Sequence, residues 1–101
     1  MEDKRVHPRV TVDLTVSCEP SNAPAFAGLA RDASIAGMFI ETTAGGNMVF
    51  GGELTIVVRL PGAKTDSRIP AVVRWVKPGG FGVQFGLLGA RDTHALTELM
   101  R

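Results

Sequence analysis

The sequence predicts a mainly β fold: six short antiparallel strands forming a small barrel or roll, followed by one short C-terminal helix. Three observations carry this expectation. Apolar and polar residues alternate through most of the chain. Turn-forming glycines and prolines interrupt the alternation at regular intervals. The period changes only near the end, where Leu99 and Met100 lie three and four residues after Leu96.

The first strand is expected over 10–18, where Val10, Val12, Leu14, Val16 and Cys18 alternate with Thr11, Asp13, Thr15 and Ser17. Such a pattern places one strand face on a core. Residues 19–24 read as a turn through Pro20, Ser21, Asn22 and Pro24, and a second strand is expected over 25–31. A tight connection over 32–37 leads to a third strand over 38–42. Loops rich in glycine (Gly45, Gly46, Gly51, Gly52) precede a fourth strand over 53–60, with Leu54, Ile56, Val58 and Leu60 on one face. Residues 61–66 read as a hairpin loop. The fifth strand, over 69–77, has Ile69, Ala71, Val73 and Trp75 in phase, so Trp75 is expected in the core. The sixth, over 81–85, points Phe81, Val83 and Phe85 to one face, and Phe39 is expected inside with them. Asp92 reads as the N-cap of the closing helix, and Arg101 suits the negative end of its dipole.

A chain of 101 residues supports a single domain. The expected organisation is a basic N-terminal segment over 1–9 and a barrel with its helix over 10–101. The net charge of +1 argues against a general nucleic-acid binder, which carries a broad basic face. One cysteine, Cys18, excludes an intrachain disulfide and reads as a small buried hydrophobe. The charged opening does not resemble a signal peptide, and no apolar run reaches the length of a membrane span. The expected location is the cytoplasm, without membrane insertion.

Chemistry concentrates in two motifs. Arg5-Val6-His7-Pro8-Arg9 carries two arginines four positions apart, with Lys4 just before. An arginine fork matches the O6/N7 edge of guanine, and matches phosphate oxygens equally well. Pro8 disfavours helix at His7, so the segment is expected to be extended. The second motif is Asp32-Ala33-Ser34-Ile35-Ala36-Gly37. A carboxylate accepts from guanine N1–H and N2–H, and a hydroxyl serves a phosphate or a base edge. Gly37 supplies either a positive φ or a close backbone approach. Each motif also has a plainer reading: a solvated basic terminus, and an Asx turn at Asp32. His7 and His94 have no metal-ligand neighbours at suitable spacing. Ser34 has no base partner, and the glycine-rich loops lack the Lys-Ser/Thr of a P-loop. No catalytic constellation is visible, so no enzyme and no cofactor are expected.

Taken together, the two motifs resemble the signature of the PilZ domain family, R-x-x-x-R followed about twenty-five residues later by [D/N]-x-S-x-x-G. Arg5 and Arg9 match the first, and Asp32, Ser34 and Gly37 match the second. Val73-Arg74-Trp75 and Gly82-Val83-Gln84-Phe85 resemble the family's late strands, so the resemblance covers nearly the whole chain. It implies a six-stranded antiparallel β-barrel with a C-terminal helix, and a receptor for cyclic di-GMP. Lys4, Arg5 and Arg9 would grip the ligand's guanine edges and phosphates, Asp32 and Ser34 would line one guanine, and Gly37 would shape the loop. Lys4, at the position that influences stoichiometry in this family, leans toward two stacked ligands. The resemblance further implies a monomer or weak dimer acting on an unidentified downstream protein, in motility or exopolysaccharide control as a class. Two rivals stand beside it: an adaptor that binds protein without ligand, and a small barrel for single-stranded nucleic acid. The second needs a positive groove with exposed aromatics.

Overall fold

In the computed structural model, residues 9–43 and 48–100 are described. Six strands, β1 (Val10–Pro20), β2 (Phe26–Ala33), β3 (Gly37–Glu41), β4 (Glu53–Val58), β5 (Ser67–Lys77) and β6 (Gly80–Phe85), precede one helix, α1 (Ala90–Leu99). The strands close into an antiparallel barrel in the order β1-β2-β3-β6-β5-β4. The mainly β expectation, the six strands and the closing helix all hold. The order is not a simple meander, because β3 pairs with β6 and the chain returns to β1 through β4.

The alternating residues build the interior. Val16, Cys18, Leu54, Ile56, Val58, Ile69, Ala71, Val73, Phe81, Val83 and Phe85 are all buried there. Closure leaves no sheet edge along the paired strands, which removes the usual template for unwanted strand addition. Burial also acts on Cys18, whose thiol is pushed up to about 12 because the thiolate would lose its water.

Three strand pairings carry a register shift, and in β2 and β5 the shift turns side chains around. In β2, Ala30 pairs with Ile40 and Asp32 with Phe39, so one extra residue intervenes on β2. Ala30 and Ala33 are therefore both fully buried, and Asp32 faces outward. β1 carries its own shift between Thr11 and Leu14. In β5, Val73 pairs with Val83 and Trp75 with Gly82, leaving Arg74 as the extra residue. A bulge of this kind reverses the inside–outside phase of everything after it.

The bulge at Arg74 corrects the expectation for Trp75. Its side chain is 40% exposed on the outer surface and not in the core. It stacks on Phe39, which is also outside, with ring centroids 5.1 Å apart and planes 1° from parallel. Gly82 makes room for this stack, since a Cβ there would collide with the indole ring. The Lys77 ammonium lies 4.8 Å from the Phe39 centroid and 5.6 Å from that of Trp75. A cation over aromatic faces is held by the ring quadrupoles.

Strand ends differ from the expected ones by one or two residues, and two of the boundary differences bear on the site and the helix. The second strand continues through Asp32 and Ala33, which the sequence assigns to the connection. The helix begins after Gly89, with no side-chain cap. Asp92 sits within the first turn, three residues after the cap, where its carboxylate accepts a hydrogen bond from the Ser67 hydroxyl at 2.6 Å. That bond ties α1 to β5, and Leu96, fully buried, anchors the helix to the core.

Candidate functional site

Strands that alternate in direction along the chain put every second connection at the same end of the barrel. The start of β1, the β2–β3 turn, the β4–β5 loop and α1 therefore share one mouth of the barrel. Arg9, the last residue of the first motif, and the second motif lie at that mouth.

Arg9 and Asp32 meet there. The Arg9 guanidinium donates to the Asp32 carboxylate across 23 residues of sequence. The pair is partly accessible, with side-chain exposures of 25% and 37%. Val10 pairs with Ala33 and Thr11 with Asp32, so the β1–β2 register itself carries Arg9 to the acid. The bulge at Arg31 is what aims Asp32 outward to receive it. The plain Asx turn considered for Asp32 is not what forms, because its carboxylate is engaged by Arg9.

Ser34 organises the turn that follows. Its hydroxyl oxygen accepts from the backbone N–H groups of Ala36 at 3.0 Å and Gly37 at 3.2 Å. Its own N–H donates to the Gly37 carbonyl at 2.8 Å. Side-chain bonding of this type substitutes for backbone pairing in a tight turn. Ser34 is only 3% exposed, so the turn is well packed.

Gly37 serves the second of the two roles open to it. It does not adopt a positive φ, which among the described residues is confined to Gly51, Gly62 and Gly79. A Cβ at Gly37 would collide with the Val83 carbonyl across the β3–β6 pair. The turn is thus pressed against β6, and the Phe85 N–H donates to the Ala36 carbonyl at 2.7 Å. Lys4 and Arg5 lie outside the described residues, as do His7 and Arg101.

The outer surface beside Asp32 holds a feature that sequence periodicity concealed. Cross-strand partners share a face, so Thr11, Asp32, Phe39, Gly82 and Trp75 form one outward row over five strands. Neighbouring strands lie about 4.8 Å apart, which sets Asp32 and Trp75 roughly 14 Å from one another along the row. At one end of the row is a carboxylate with its arginine. At the other is a stacked aromatic pair whose Trp75 indole lies directly on the backbone of Gly82. The residue that could have signalled this was Gly82: a glycine within a strand marks a close approach.

Among the described residues, no group of three or more His, Cys, Asp or Glu side chains is placed to hold a metal ion. No helix there is long and apolar enough to cross a membrane.

Comparison with known proteins agrees with this architecture. The barrel superposes on the Bacillus subtilis inhibitor of motility with a TM-score of 0.77 at 23% identity, covering 97% of this chain and 50% of that one. The PilZ domain of CeSA from a cellulose-synthesizing bacterium gives 0.73 at 14% identity, covering 91% and 93%. The PilZ domain of Escherichia coli YcgR, solved with cyclic di-GMP, gives 0.71 at 15% identity, covering 96% and 88%. This chain thus spans about half the length of the B. subtilis protein and nearly all of the two isolated domains. A search of curated proteins returns no significant match. The family model described as PilZ domain matches residues 3–101, and with the barrel, the closing helix and the paired motifs in place, the chain belongs to the PilZ domain family.

Proposed function

We propose that this chain is a cyclic di-GMP receptor that binds its ligand at the mouth of the barrel and signals to a partner protein. The observation that carries the reading is the contact between Arg9 and Asp32, which joins the two halves of the signature at one accessible spot. Neighbouring folds solved with the same ligand, the E. coli YcgR domain and Klebsiella MrkH, lend support.

In this reading Arg9, with Arg5 and Lys4 from the preceding segment, supplies the cationic grip on phosphates and guanine edges. Asp32 accepts from guanine N1–H and N2–H. Without ligand, Arg9 and Asp32 satisfy one another, so binding exchanges that ion pair for two charge-assisted contacts with the nucleotide. Each such bond contributes about 1.5–3 kcal/mol. Four of them, less the broken Arg9–Asp32 pair and the cost of immobilising the ligand, reach roughly −8 kcal/mol, or micromolar affinity. Ser34 and Gly37 hold the turn in the shape that presents Asp32. The Phe39–Trp75 pair, in the same outward row, offers a face on which a purine stacks. Ligand held at the mouth changes the surface that a partner meets, with no catalytic step and no cofactor.

Isothermal titration calorimetry with cyclic di-GMP, using GTP and cyclic di-AMP as controls, tests the reading. Selective binding of cyclic di-GMP supports it, and the molar ratio distinguishes one ligand from a stacked pair. A folded sample that binds none of the three overturns it and leaves the ligand-independent adaptor.

A further inference from the structure

The cations of this barrel are almost all spoken for. Among the described residues, Arg9 bonds Asp32, Arg31 bonds Asp13, Arg59 bonds Asp66 and Arg68 bonds Glu19. Arg74 donates to Gln84 at 2.7 Å, and Lys77 lies over the Phe39 and Trp75 rings. Two cations remain without a protein partner, Lys64 and Arg91, and both line the same groove.

That groove has a volume of about 500 Å³ and runs between the β4–β5 loop and α1. Pro61, Ala63 and Ala95 give it an apolar floor, and Ala63 and Ala95 pack directly on the core. Lys64 stands on the loop side and Arg91 on the helix side, with His94 one turn along α1. Asp92 lines the groove too, but its carboxylate is bonded to the buried Ser67 hydroxyl, and so it serves to hold the helix wall in place. Glu98 borders the far end of the helix wall and makes an interaction of its own.

An open trough with an apolar floor and a cation on each wall suits an extended chain that carries both carboxylates and apolar side chains. No Phe, Tyr or Trp lines it as a stacking platform for a base, and its one ring is the exposed His94 imidazole, which disfavours a nucleotide. The groove opens at the same end of the barrel as the signature turn. Phe85 donates to Ala36 in that turn, and α1 starts a few residues after β6 ends.

We infer that the groove between the β4–β5 loop and α1 docks an acidic, leucine-bearing segment of a partner protein, held by Lys64 and Arg91 over the apolar floor. The inference rests on the reading that this receptor acts through a protein, and it supplies that protein's contact surface. Carboxylates of the segment pair with Lys64 and Arg91, and its apolar side chains cover Pro61, Ala63 and Ala95. Specificity comes from charge placement at the rim.

The test uses the full chain and two fluorescent peptides, one alternating leucine with aspartate and one alternating leucine with lysine. Anisotropy is followed with and without cyclic di-GMP. The acidic peptide is expected to bind, and amide resonances of Lys64, Thr65, Arg91 and His94 are expected to shift. The doubly reversed variant Lys64→Glu with Arg91→Glu should bind the acidic peptide roughly tenfold or more weakly. It should also gain binding to the lysine peptide, a swap that mere damage to the fold does not produce. Both substituted residues are exposed, and melting temperature confirms that the variant folds. Acidic-peptide binding that survives the reversal, resonance shifts elsewhere on the barrel, or no binding in either state each overturns the inference. Titration of the same samples with cyclic di-GMP separates the two readings. Ligand binding that persists while the peptide fails refutes the groove alone, and loss of ligand binding in the wild type refutes the receptor.

Discussion

Replacing Gly37 with alanine tests why the signature contains a glycine at all. Since Gly37 does not adopt a positive φ, alanine carries no left-handed penalty there. The objection is spatial: the added Cβ meets the Val83 carbonyl, a backbone group in a paired strand that cannot rotate away as a side chain would. Overpacking of this kind costs about 1–3 kcal/mol. Alanine recovers about 0.4–1 kcal/mol by stiffening the unfolded chain, so the net loss is on the order of 1–2 kcal/mol. For a domain of this size each kcal/mol shifts the melting temperature by roughly 4–8 °C, so Gly37→Ala should melt roughly 5–15 °C below the wild type. Gly86→Ala is the matched control, because its Cβ would stand 3.4 Å from the Pro70 carbonyl oxygen, an ordinary contact. It should melt at or slightly above the wild type. Thermal unfolding followed by circular dichroism reads both. A Gly37→Ala variant that melts with the control would sink the close-approach argument.

Other expectations concern the site and the core. Arg9→Ala should weaken cyclic di-GMP binding at least tenfold by calorimetry. It should move the melting temperature by only a few degrees, since a partly exposed ion pair contributes about 0.2–1 kcal/mol; a large loss of stability would make Arg9 structural. Asp32→Ala should erode discrimination between cyclic di-GMP and cyclic di-AMP, and selectivity that survives intact removes its assigned role. Trp75 is the sole tryptophan and lies outside the core, so its emission should be quenched by acrylamide in the folded protein and should change when cyclic di-GMP is added. An unaltered spectrum at saturation would take Trp75 out of the ligand's footprint. Cys18 links stability to alkaline pH. An unfolded thiol loses its proton above about 9, while the buried one keeps it up to about 12. Its contribution is therefore intact below the unfolded value and falls by about 1.4 kcal/mol per pH unit as pH rises from there toward 12. Urea melts of wild type and Cys18→Ala should diverge across that window, and parallel curves would show the thiol to be solvated.

The alternation of apolar residues in β1, β4 and β6 determined those strands and the faces they bury, because an inward–outward period is a local property of a strand. The signature residues were legible for the same reason: residue type and spacing are written directly along the chain. What the chain could not reveal by itself was where its strands would slip against one another. A bulge depends on which residue of the neighbouring strand it faces, and that is settled only when the barrel closes. Extrapolating the period of two therefore sent Trp75 into the core, whereas the extra residue Arg74 turns it outward onto Phe39. The same physics, at Arg31, turned Asp32 out of phase with Ala30 and toward Arg9. Asp92 has the composition of an N-cap, but the Ser67 hydroxyl, brought near only by the docking of α1, claims its carboxylate. Local pattern thus determined the strands and the chemistry available. Tertiary pairing decided which of those side chains share a surface.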